Sequence, residues 1–539
     1  MTAIKITQFS GISPRTPARY LQDSQAQTAL NCPTWLGNLQ PIKDTSYLMD
    51  LSKSGEITSI YKFGLDNLSE TEYWFHWAED VDVVRGFING DTTERTYFTG
   101  VDYPRVTNNE LALSGGSTDY PVVSYQLGVP KPTTPPLCIV GGTAEEEAIP
   151  ETRTYTYTFV NSWGEESAPF SATPYPQSAV VDVTEGENVT LTLPTGVTGN
   201  YNITHKRIYR STAGVYLFVD EIPLSQGTYV DTLDPDELVE EMASLTWEPP
   251  RDDLQGLTGM AGGFLAAFTG IDVYFSEPYR PFAWPLQYSQ SVGYTIVGLG
   301  AIDTTLVVLT TARPFFLQGS SPDSMVMVEG DISQACVSKQ SIVSLNGAVY
   351  YASPDGLVAL APGGSRVVTQ GLFEKDQWQD LNPSSIRGFV SENRYVGFYE
   401  SNAGKGGFIF DPATNSFTMH TMHATAGHND LETDTLYLVV DNAIHKWDQG
   451  ALLTYTWKSK VFTMPDLVSF TCYRVNAEAY PIDITVYKDG LVHHTHTVTS
   501  REIQRLPVGY GHDWEIELTG TGAVFSVQLG QSPRELANG

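Results

Sequence analysis

One stretch near the middle of the chain decides how the sequence is organised. It reads Trp247-Glu248-Pro249-Pro250-Arg251-Asp252-Asp253-Leu254-Gln255-Gly256-Leu257, then Gly262-Gly263-Phe264, and then Phe275-Ser276-Glu277-Pro278-Tyr279-Arg280-Pro281-Phe282-Ala283-Trp284-Pro285. Prolines fix φ and glycines permit tight turns, so this run is typical of a rigid connector that enters a β-sheet. It contains no catalytic signature. The domains that it joins lie in the sequence on either side of it.

Downstream of the connector, short apolar strands alternate with turn residues. The turns include Asn346-Gly347, Ser353-Pro354-Asp355-Gly356 and Asp441-Asn442. These meanders recur about every 40–50 residues, which is the period of β-propeller blades. Residues 41–129 contain strands of the same kind. We therefore expect 41–129 and 247–454 to form two parts of one propeller.

Between these two parts the composition changes. Pro130-Lys131-Pro132-Thr133-Thr134-Pro135-Pro136 predicts a stiff linker, and Thr154-Tyr155-Thr156-Tyr157-Thr158-Phe159-Val160 alternates as a half-buried strand does. Residues 130–246 are thus predicted to be an inserted β-sandwich of immunoglobulin or fibronectin III type. Asp234 as N-cap and Pro235 at the first helical position predict a short helix that ends near Leu245.

The two ends of the chain complete the prediction. Residues 455–539 indicate a small C-terminal β domain, with a hairpin turn at Asp489-Gly490. Residues 1–40 are predicted to be an N-terminal docking segment. The predicted fold class is all-β: a β-propeller interrupted by an inserted immunoglobulin- or fibronectin III-like sandwich, plus the C-terminal domain.

The composition and the net charge of the chain argue against several classes of function. The 539 residues include 62 Asp and Glu against 31 Lys and Arg, a net charge of −31, which argues against DNA binding by phosphate neutralisation. The four cysteines are too far apart to predict a zinc site or a disulfide framework. The N-terminus lacks the pattern of a signal peptide, and we expect synthesis in the cytoplasm.

The sequence contains few motifs typical of catalysis or metal binding. No nucleotide-binding loop, nucleophile elbow or zinc-protease motif is present, so we expect no enzyme, no cofactor and no metal. Ser353-Pro354-Asp355-Gly356 resembles the Asp-box turn of sialidases but lacks its Thr-Trp. His494 and His496 would share one face of a strand and could hold a metal, or simply form a polar solvent face. His420, His423 and His428, predicted in a loop, have the same two interpretations.

Several blocks resemble tail nozzle proteins of short-tailed bacteriophages, the tail tubular protein B family of podoviruses. Phe9-Ser10-Gly11-Ile12-Ser13-Pro14-Arg15, followed by Gly37-Asn38-Leu39-Gln40-Pro41, resembles the start of these proteins. Tyr97-Phe98-Thr99-Gly100 and Ala335-Cys336-Val337-Ser338-Lys339 resemble other blocks of such virion proteins. With the connector, the similar segments touch most of the chain except the sandwich. Lys43 after Pro41 departs from the family's turn.

The resemblance implies a structural protein of the virion tail. It implies a homo-oligomeric ring, most simply a hexamer, below the portal and the adaptor (head-to-tail connector) protein. The ring would continue the DNA-ejection channel and close it, and DNA would pass without sequence-specific binding. Tail fibres and the host outer surface would be further partners. The expected assembly residues are Gly11, Ile12, Ser13, Arg15, Trp247, Pro249, Pro250 and Trp284.

A second hypothesis comes from a different class of protein. The same propeller would suit a host-receptor or glycan-binding protein, in a sialidase-like form, on a tail fibre or spike. A ring with a channel of duplex width would favour the nozzle, whereas a monomer or trimer with glycan affinity would favour the receptor-binding protein.

Overall fold

The computed structural model describes residues 3–64 and 69–537, and strands form nearly all of its regular structure. The helices described are α1 (Asn109–Ala112), α2 (Lys375–Gln379) and α3 (Pro533–Ala537). No helix in the described part of the chain is long and apolar enough to cross a membrane. The chain divides into two compact units, Met1–Ala78 with Val307–Phe316 and Val328–Gly539, and Glu79–Leu306 with Leu317–Met327.

The strands are numbered in chain order. Those before the sandwich are β1 (Ala3–Ile6), β2 (Ala26–Leu30), β3 (Ser46–Asp50), β4 (Ser59–Lys62), β5 (Trp74–Trp77), β6 (Asp82–Arg85), β7 (Thr96–Thr99), β8 (Arg105–Thr107) and β9 (Tyr125–Gln126). Those of the sandwich are β10 (Leu137–Gly142), β11 (Glu151–Asn161), β12 (Val180–Val183), β13 (Glu187–Thr192), β14 (Ile203–Thr212), β15 (Val215–Pro223) and β16 (Thr228–Asp231). Those that follow are β17 (Gln255–Met260), β18 (Phe264–Thr269), β19 (Asp272–Phe275), β20 (Gln290–Ser291), β21 (Ile296–Ile302), β22 (Thr305–Thr310), β23 (Phe315–Gln318), β24 (Val326–Glu329), β25 (Val343–Leu345), β26 (Ala348–Ser353), β27 (Gly356–Ala361), β28 (Gly364–Val367), β29 (Arg387–Ser391), β30 (Arg394–Ser401), β31 (Gly404–Asp411), β32 (Ser416–His420), β33 (Ala426–Asp430), β34 (Thr435–Val440) and β35 (Ala443–Lys446). The last are β36 (Tyr455–Ser459), β37 (Phe462–Val468), β38 (Cys472–Ala477), β39 (Ile482–Lys488), β40 (Leu491–Val498), β41 (Gln504–Arg505), β42 (Gly511–Gly520) and β43 (Val524–Gly530).

Four-stranded antiparallel meanders confirm the predicted propeller. The sheets β17-β18-β19-β20, β21-β22-β23-β24 and β25-β26-β27-β28 each follow chain order, and β29-β30-β31-β32 do so within a ten-stranded sheet that continues through β2 into β36. Their first strands start at Gln255, Ile296, Val343 and Arg387, about 40–50 residues apart, as blades of a propeller do. In the first unit, β29 lies beside β25 and β33, and β33 lies beside β4.

The segment before the sandwich completes one blade with β3 and forms a further sheet, β6-β7-β8-β9. In the first unit β3 pairs with β35 and completes the sheet β3-β35-β34-β33, with Ser46 opposite Lys446. In the second unit β6 lies against β17. Tyr97 of β7 and Leu257 of β17 share one core with Trp284. The strands on either side of the insertion therefore pack as neighbouring blades.

The predicted hairpin turns are present. Asn346-Gly347 joins β25 to β26 with φ of 51° and 73°, and Asp489-Gly490 joins β39 to β40 with φ of 48° and 80°. Two successive positive φ angles match the twist of paired strands, and Asn, Asp and Gly adopt them at low cost. The blade hairpins are thus specified locally by two residues each.

The insertion is a two-sheet sandwich with sheet orders β10-β13-β16 and β12-β11-β14-β15. Tyr155, Tyr157 and Phe159 of β11 all enter its core, as the alternating pattern predicts. The immunoglobulin assignment is not confirmed. A constant-type immunoglobulin domain places its first, second, fourth and fifth strands together, whereas here the first, fourth and seventh strands form one sheet.

The predicted helix up to Leu245 is wrong beyond its first turn. Only Pro235–Glu237 forms a 3-10 turn, and the Asp234 amide donates to Glu237 Oε2 at 2.8 Å as in a capping box. The chain then runs extended beside β15, where the Phe218 amide donates to the Glu240 carbonyl at 2.8 Å. A helix of about ten residues is marginal alone, and the free edge of β15 offers better partners.

The C-terminal domain includes the N-terminus. β1 pairs with β43, with Ala3 opposite Gly530, and β2 pairs with β36. We call β1, β2 and β36 to β43 the terminal sandwich. Residues 3–40 are therefore part of a folded domain and not a separate segment, because β1 and β2 are hydrogen-bonded into its sheets. Docking of this segment to an adaptor stays a prediction.

A buried ion pair lies in the sandwich core and yields a first prediction. Arg210 donates to Asp231 at 2.8 Å, both side chains are at most 1% exposed, and the Tyr155 hydroxyl donates to the same carboxylate at 2.6 Å. Asp231→Ala would leave the guanidinium buried and unpaired, and should destabilise the sandwich by about 3–5 kcal/mol. Native-state hydrogen exchange of β11 and β14 measures this change.

The exposed pair of Arg251 and Asp253 provides the control. Its side chains are 50% and 53% exposed, so Asp253→Ala should cost no more than about 1 kcal/mol. Equal effects of Asp231→Ala and Asp253→Ala on amide protection would contradict the assigned role of the buried pair.

Candidate functional site

The connector packs through both of its tryptophans, within the second unit. Phe282 meets the edge of the Trp247 ring at 5.8 Å between centroids, and the Arg280 guanidinium lies 4.6 Å above it. The Trp284 amide donates to the Glu248 carbonyl at 2.7 Å, and its indole donates to the Pro281 carbonyl at 2.8 Å. The connector is thus folded back on itself and held rigid.

The two prolines hold together the chain that enters the sandwich and the chain that leaves it. Gly128 has a φ of +91°, and a Cβ there would lie 2.5 Å from Pro250 Cδ and 3.2 Å from Pro249 Cβ. Lys131 Nζ, on the entering chain, pairs with Glu248 at 3.0 Å. Only glycine satisfies both the backbone angle and this close approach.

A buried carboxylate fastens the last residues of the inserted segment, just before the connector, to the sandwich. Glu166 Oε1 accepts hydrogen bonds from Tyr209 at 2.6 Å and Ser244 at 3.0 Å, and Oε2 accepts one from Arg207 at 2.9 Å. Burial, followed by the charge of Glu166, raises the pKa of Tyr209 well above its usual value, so the phenol stays a donor. The sequence gives no signal for this role, since Glu166 sits in an ordinary acidic turn.

A second carboxylate joins the sandwich turn to the blade before it. Arg95 donates to Glu165 at 2.7 Å and lies 5.2 Å above the Trp163 ring. Burial raises the pKa of Glu165, although Arg95 opposes the shift. A cavity of 660 Å³ borders this contact and the connector, and Trp163, Glu165 and Trp247 line it. Arg95 and Arg207 in its wall pair with Glu165 and Glu166, which is typical of a structural clamp.

The N-terminal motif forms a separate clamp within the first unit. The Ile12 amide donates to the Phe417 carbonyl at 2.9 Å, and a Cβ on Gly11 would overlap that carbonyl oxygen. Ser13 is buried. Arg15 donates to the Gln370 carbonyl at 2.6 Å. These contacts fasten the N-terminal segment to β32 and to the connection that follows β28.

The eight expected assembly residues therefore form two groups. Gly11, Ile12, Ser13 and Arg15 lie in the first unit, and Trp247, Pro249, Pro250 and Trp284 lie in the second. Each group makes contacts within its own chain. The structure brings the residues of each group together, and a role between subunits stays a prediction for all eight.

The histidine strand β40 places two imidazole rings side by side, and one of them contacts a tyrosine. The His494 and His496 rings lie 6.0 Å apart, and His496 Nδ1 lies 2.7 Å from the Tyr473 hydroxyl. Burial, followed by His496 and His493, lowers the pKa of His494. Within residues 3–64 and 69–537 no group of three His, Cys, Asp or Glu side chains is placed to hold a metal.

The other three histidines do not share a loop, contrary to prediction. His420 ends β32 and His428 lies in β33, while His423 lies between them, 3.3 Å from Glu400. The Phe398 and Trp447 rings lie 5.3 Å from the ring of His420. Burial lowers the pKa of His420 to about 3. It is therefore a neutral core residue, because blade strands continue through this part of the sequence.

The turn that resembles a sialidase Asp box is a structural hairpin. Ser353 Oγ donates to the Gly356 carbonyl at 2.8 Å, and the Trp378 indole donates to the Ser353 carbonyl at 2.9 Å. Lys375 pairs with Asp355 at 2.8 Å, and its hydrogen bond lowers the pKa of that carboxyl. The polar groups of the turn are thus used within the fold.

Comparisons with known proteins identify no family. No family model and no curated protein matches the sequence. Solved structures with some likeness include the extracellular domain of a hybrid two-component system from B. thetaiotaomicron (10% identity, TM-score 0.27, 63% of this chain and 43% of that chain). Others are a family 43 arabinoxylan arabinofuranohydrolase from Bacillus subtilis (11%, 0.18, 64% and 93%) and PorZ from Porphyromonas gingivalis (8%, 0.24, 89% and 82%). TM-scores this low assign no function.

The N-terminal clamp yields a second prediction. Gly11→Ala places a methyl group against the Phe417 backbone, 2.7 Å from its nitrogen, and backbone cannot move aside as a side chain can. We expect a loss of roughly 1–3 kcal/mol in the free energy of unfolding, measured by urea denaturation. Gly371→Ala is the matched control, because nothing lies within 4 Å of its added Cβ. Equal stability of the two variants would contradict the clamp.

The buried His420 yields a third prediction, on pH. Its folded pKa of about 3 lies below the ordinary 6.5, so below pH 6.5 the unfolded chain binds the proton first. This histidine should therefore destabilise the fold by about 1.4 kcal/mol for each pH unit between 6.5 and 3. Urea denaturation from pH 7.5 to 4.5 should show a shallower pH dependence for His420→Leu. Identical slopes for the wild type and His420→Leu would contradict the assignment.

Proposed function

We propose that this protein is a structural subunit of a bacteriophage tail. It would form the ring-shaped nozzle that continues and closes the DNA-ejection channel below the portal and adaptor complex. The ring is a homo-oligomer, and we propose a hexamer. The protein is synthesised in the host cytoplasm and becomes part of the virion tail. DNA passes through it without sequence-specific binding, and it acts as no enzyme. The eight assembly residues support the walls of this ring.

The distribution of charge carries the proposal. Residues 41–454 contain 52 acidic and 21 basic side chains, whereas residues 1–40 and 455–539 together contain ten of each. The whole net charge of −31 therefore belongs to the propeller and the inserted sandwich. Walls of one negative sign repel the phosphate backbone, so DNA can slide past them without being held.

Rigidity supports the same proposal. The blades are antiparallel sheets with short edges, and both motif groups fasten segments distant in sequence. A ring that contains packed DNA needs walls that do not open locally, and clamps of this kind raise the free energy of local opening. The polar clusters at Glu165, Glu166 and Ser353 are used for such contacts.

One observation favours the receptor-binding alternative. A cavity of 520 Å³ in the first unit is lined by Trp35, Trp447, Glu392 and Asp448. Aromatic rings beside carboxylates suit a sugar, since the rings cover its apolar face and the oxygens accept from its hydroxyls. However, Arg394 already lies 3.8 Å above the Trp35 ring, which leaves one face of that ring for a ligand.

Electron microscopy of the purified protein, with glycan binding measured in parallel, tests the proposal. We expect closed rings with a central channel wide enough for duplex DNA, and no change in intrinsic fluorescence on addition of glycans. Monomers or trimers that bind glycans would overturn the nozzle in favour of the alternative. In that case Trp35→Ala should abolish glycan binding, whereas Trp163→Ala, outside the cavity, should not.

A further inference from the structure

The terminal sandwich exposes a group of large apolar side chains at one end. Three connections meet there: the bulge of β37 before Val468, the turn from β39 to β40, and the connection that leads into β42. Their apolar residues are between 59% and 75% exposed. We call them the apolar tip: Leu467, Leu491, Val492, Val508 and Tyr510.

The three connections are packed against one another around Gly511. Gly511 pairs with Val468, and a Cβ on it would lie 2.8 Å from the Asp489 carboxylate. The Gly509 amide donates to Ser469 Oγ at 3.1 Å, and the His493 ring donates to the Pro507 carbonyl at 2.9 Å. The tip is thus one contiguous surface held by hydrogen bonds in an exposed position.

Holding large apolar side chains exposed to water is unfavourable in free energy. Each of these side chains leaves apolar area in contact with solvent, and burying such area is favourable in proportion to its size. Small surface loops more often carry Gly, Ser, Asn or Asp. Five large apolar side chains at two neighbouring strand ends and in the connection beside them therefore indicate a surface that is buried in use.

The net charge of the terminal sandwich determines which surfaces can approach the apolar tip. The terminal sandwich has ten acidic and ten basic side chains, unlike the strongly acidic remainder of the chain. Asp466 and Lys488 flank the tip, so it carries both signs. At 0.1 M salt, charges farther than about 10 Å from a membrane are screened, so the neutral terminal sandwich and not the acidic remainder determines the interaction at the tip.

We propose that the apolar tip inserts into the interface of a lipid bilayer. The apolar groups lie at the ends of β37 and β40 and in the connection before β42, not across the middle of a sheet, whereas protein partners usually bury a broad patch of about 800 Å² on each side. Leucine and valine suit the acyl boundary, and tyrosine suits the headgroup level, where its ring is buried and its hydroxyl stays hydrated. The inference does not depend on the nozzle proposal, since a single chain has the complete tip.

Vesicle flotation of the full-length protein tests this inference. The probe is a vesicle of pure phosphatidylcholine, and a second vesicle contains added phosphatidylglycerol. We expect the wild-type protein to float with both, and to do so equally at 0.1 and about 0.5 M salt, because insertion is apolar and not screened. The triple variant Leu491→Ser, Val508→Ser, Tyr510→Ser should float at least about tenfold less.

A matched control separates the tip from exposed leucine in general. Leu431 is 86% exposed in the turn from β33 to β34, and Leu431→Ser should float like the wild type. Circular dichroism should be unchanged in the triple variant, because its side chains are outside the core. Absence of wild-type flotation, or flotation that the triple variant retains, would overturn the inference. Loss of self-association in the triple variant without any vesicle binding would assign the tip to a protein interface instead.

Discussion

The structure of the second unit depends on one close approach, that of Pro250 to Gly128. A domain inserted between two blades must begin and end at nearly the same point, or the blades on either side could not touch. Gly128 permits this contact because its φ is +91° and it has no Cβ. Glu166 then fastens the sandwich to the returning chain through Ser244. With its ends joined, the sandwich adds about a hundred residues without separating the core that Tyr97 shares with Leu257.

Local patterns in the sequence predicted much of this fold. Two-residue turns such as Asn346-Gly347 specify their hairpins alone, and the spacing of the meanders predicted the blades. The interactions that failed prediction are non-local. The segment after Asp234 prefers the edge of β15 to a helix, and no residue within that segment reports that an edge is free. Likewise β1 finds its partner in β43, more than 500 residues away, which local pattern does not reveal.

The candidate site shows the same division. The connector residues were predicted from prolines and tryptophans, but Glu165 and Glu166, which fasten the sandwich beside them, have the sequence pattern of a solvated acidic turn. Their burial depends on Arg95, just before β7, and on Arg207 of β14. The uneven distribution of charge along the chain also underlies the functional proposal. The neutral terminal sandwich and the acidic remainder of the chain would contact different surfaces. One would contact apolar or anionic surfaces, and the other would repel the phosphates of passing DNA.

We propose that this chain builds the wall of a DNA channel at the end of a tail. Cryo-electron microscopy of tails isolated from virions that carry this protein measures its position directly. The account predicts that the blades and the inserted sandwich fit a symmetric ring around the tail axis, with acidic side chains from residues 41–454 facing the lumen. Density that places the chain in a peripheral fibre or spike, away from the axis, would contradict it.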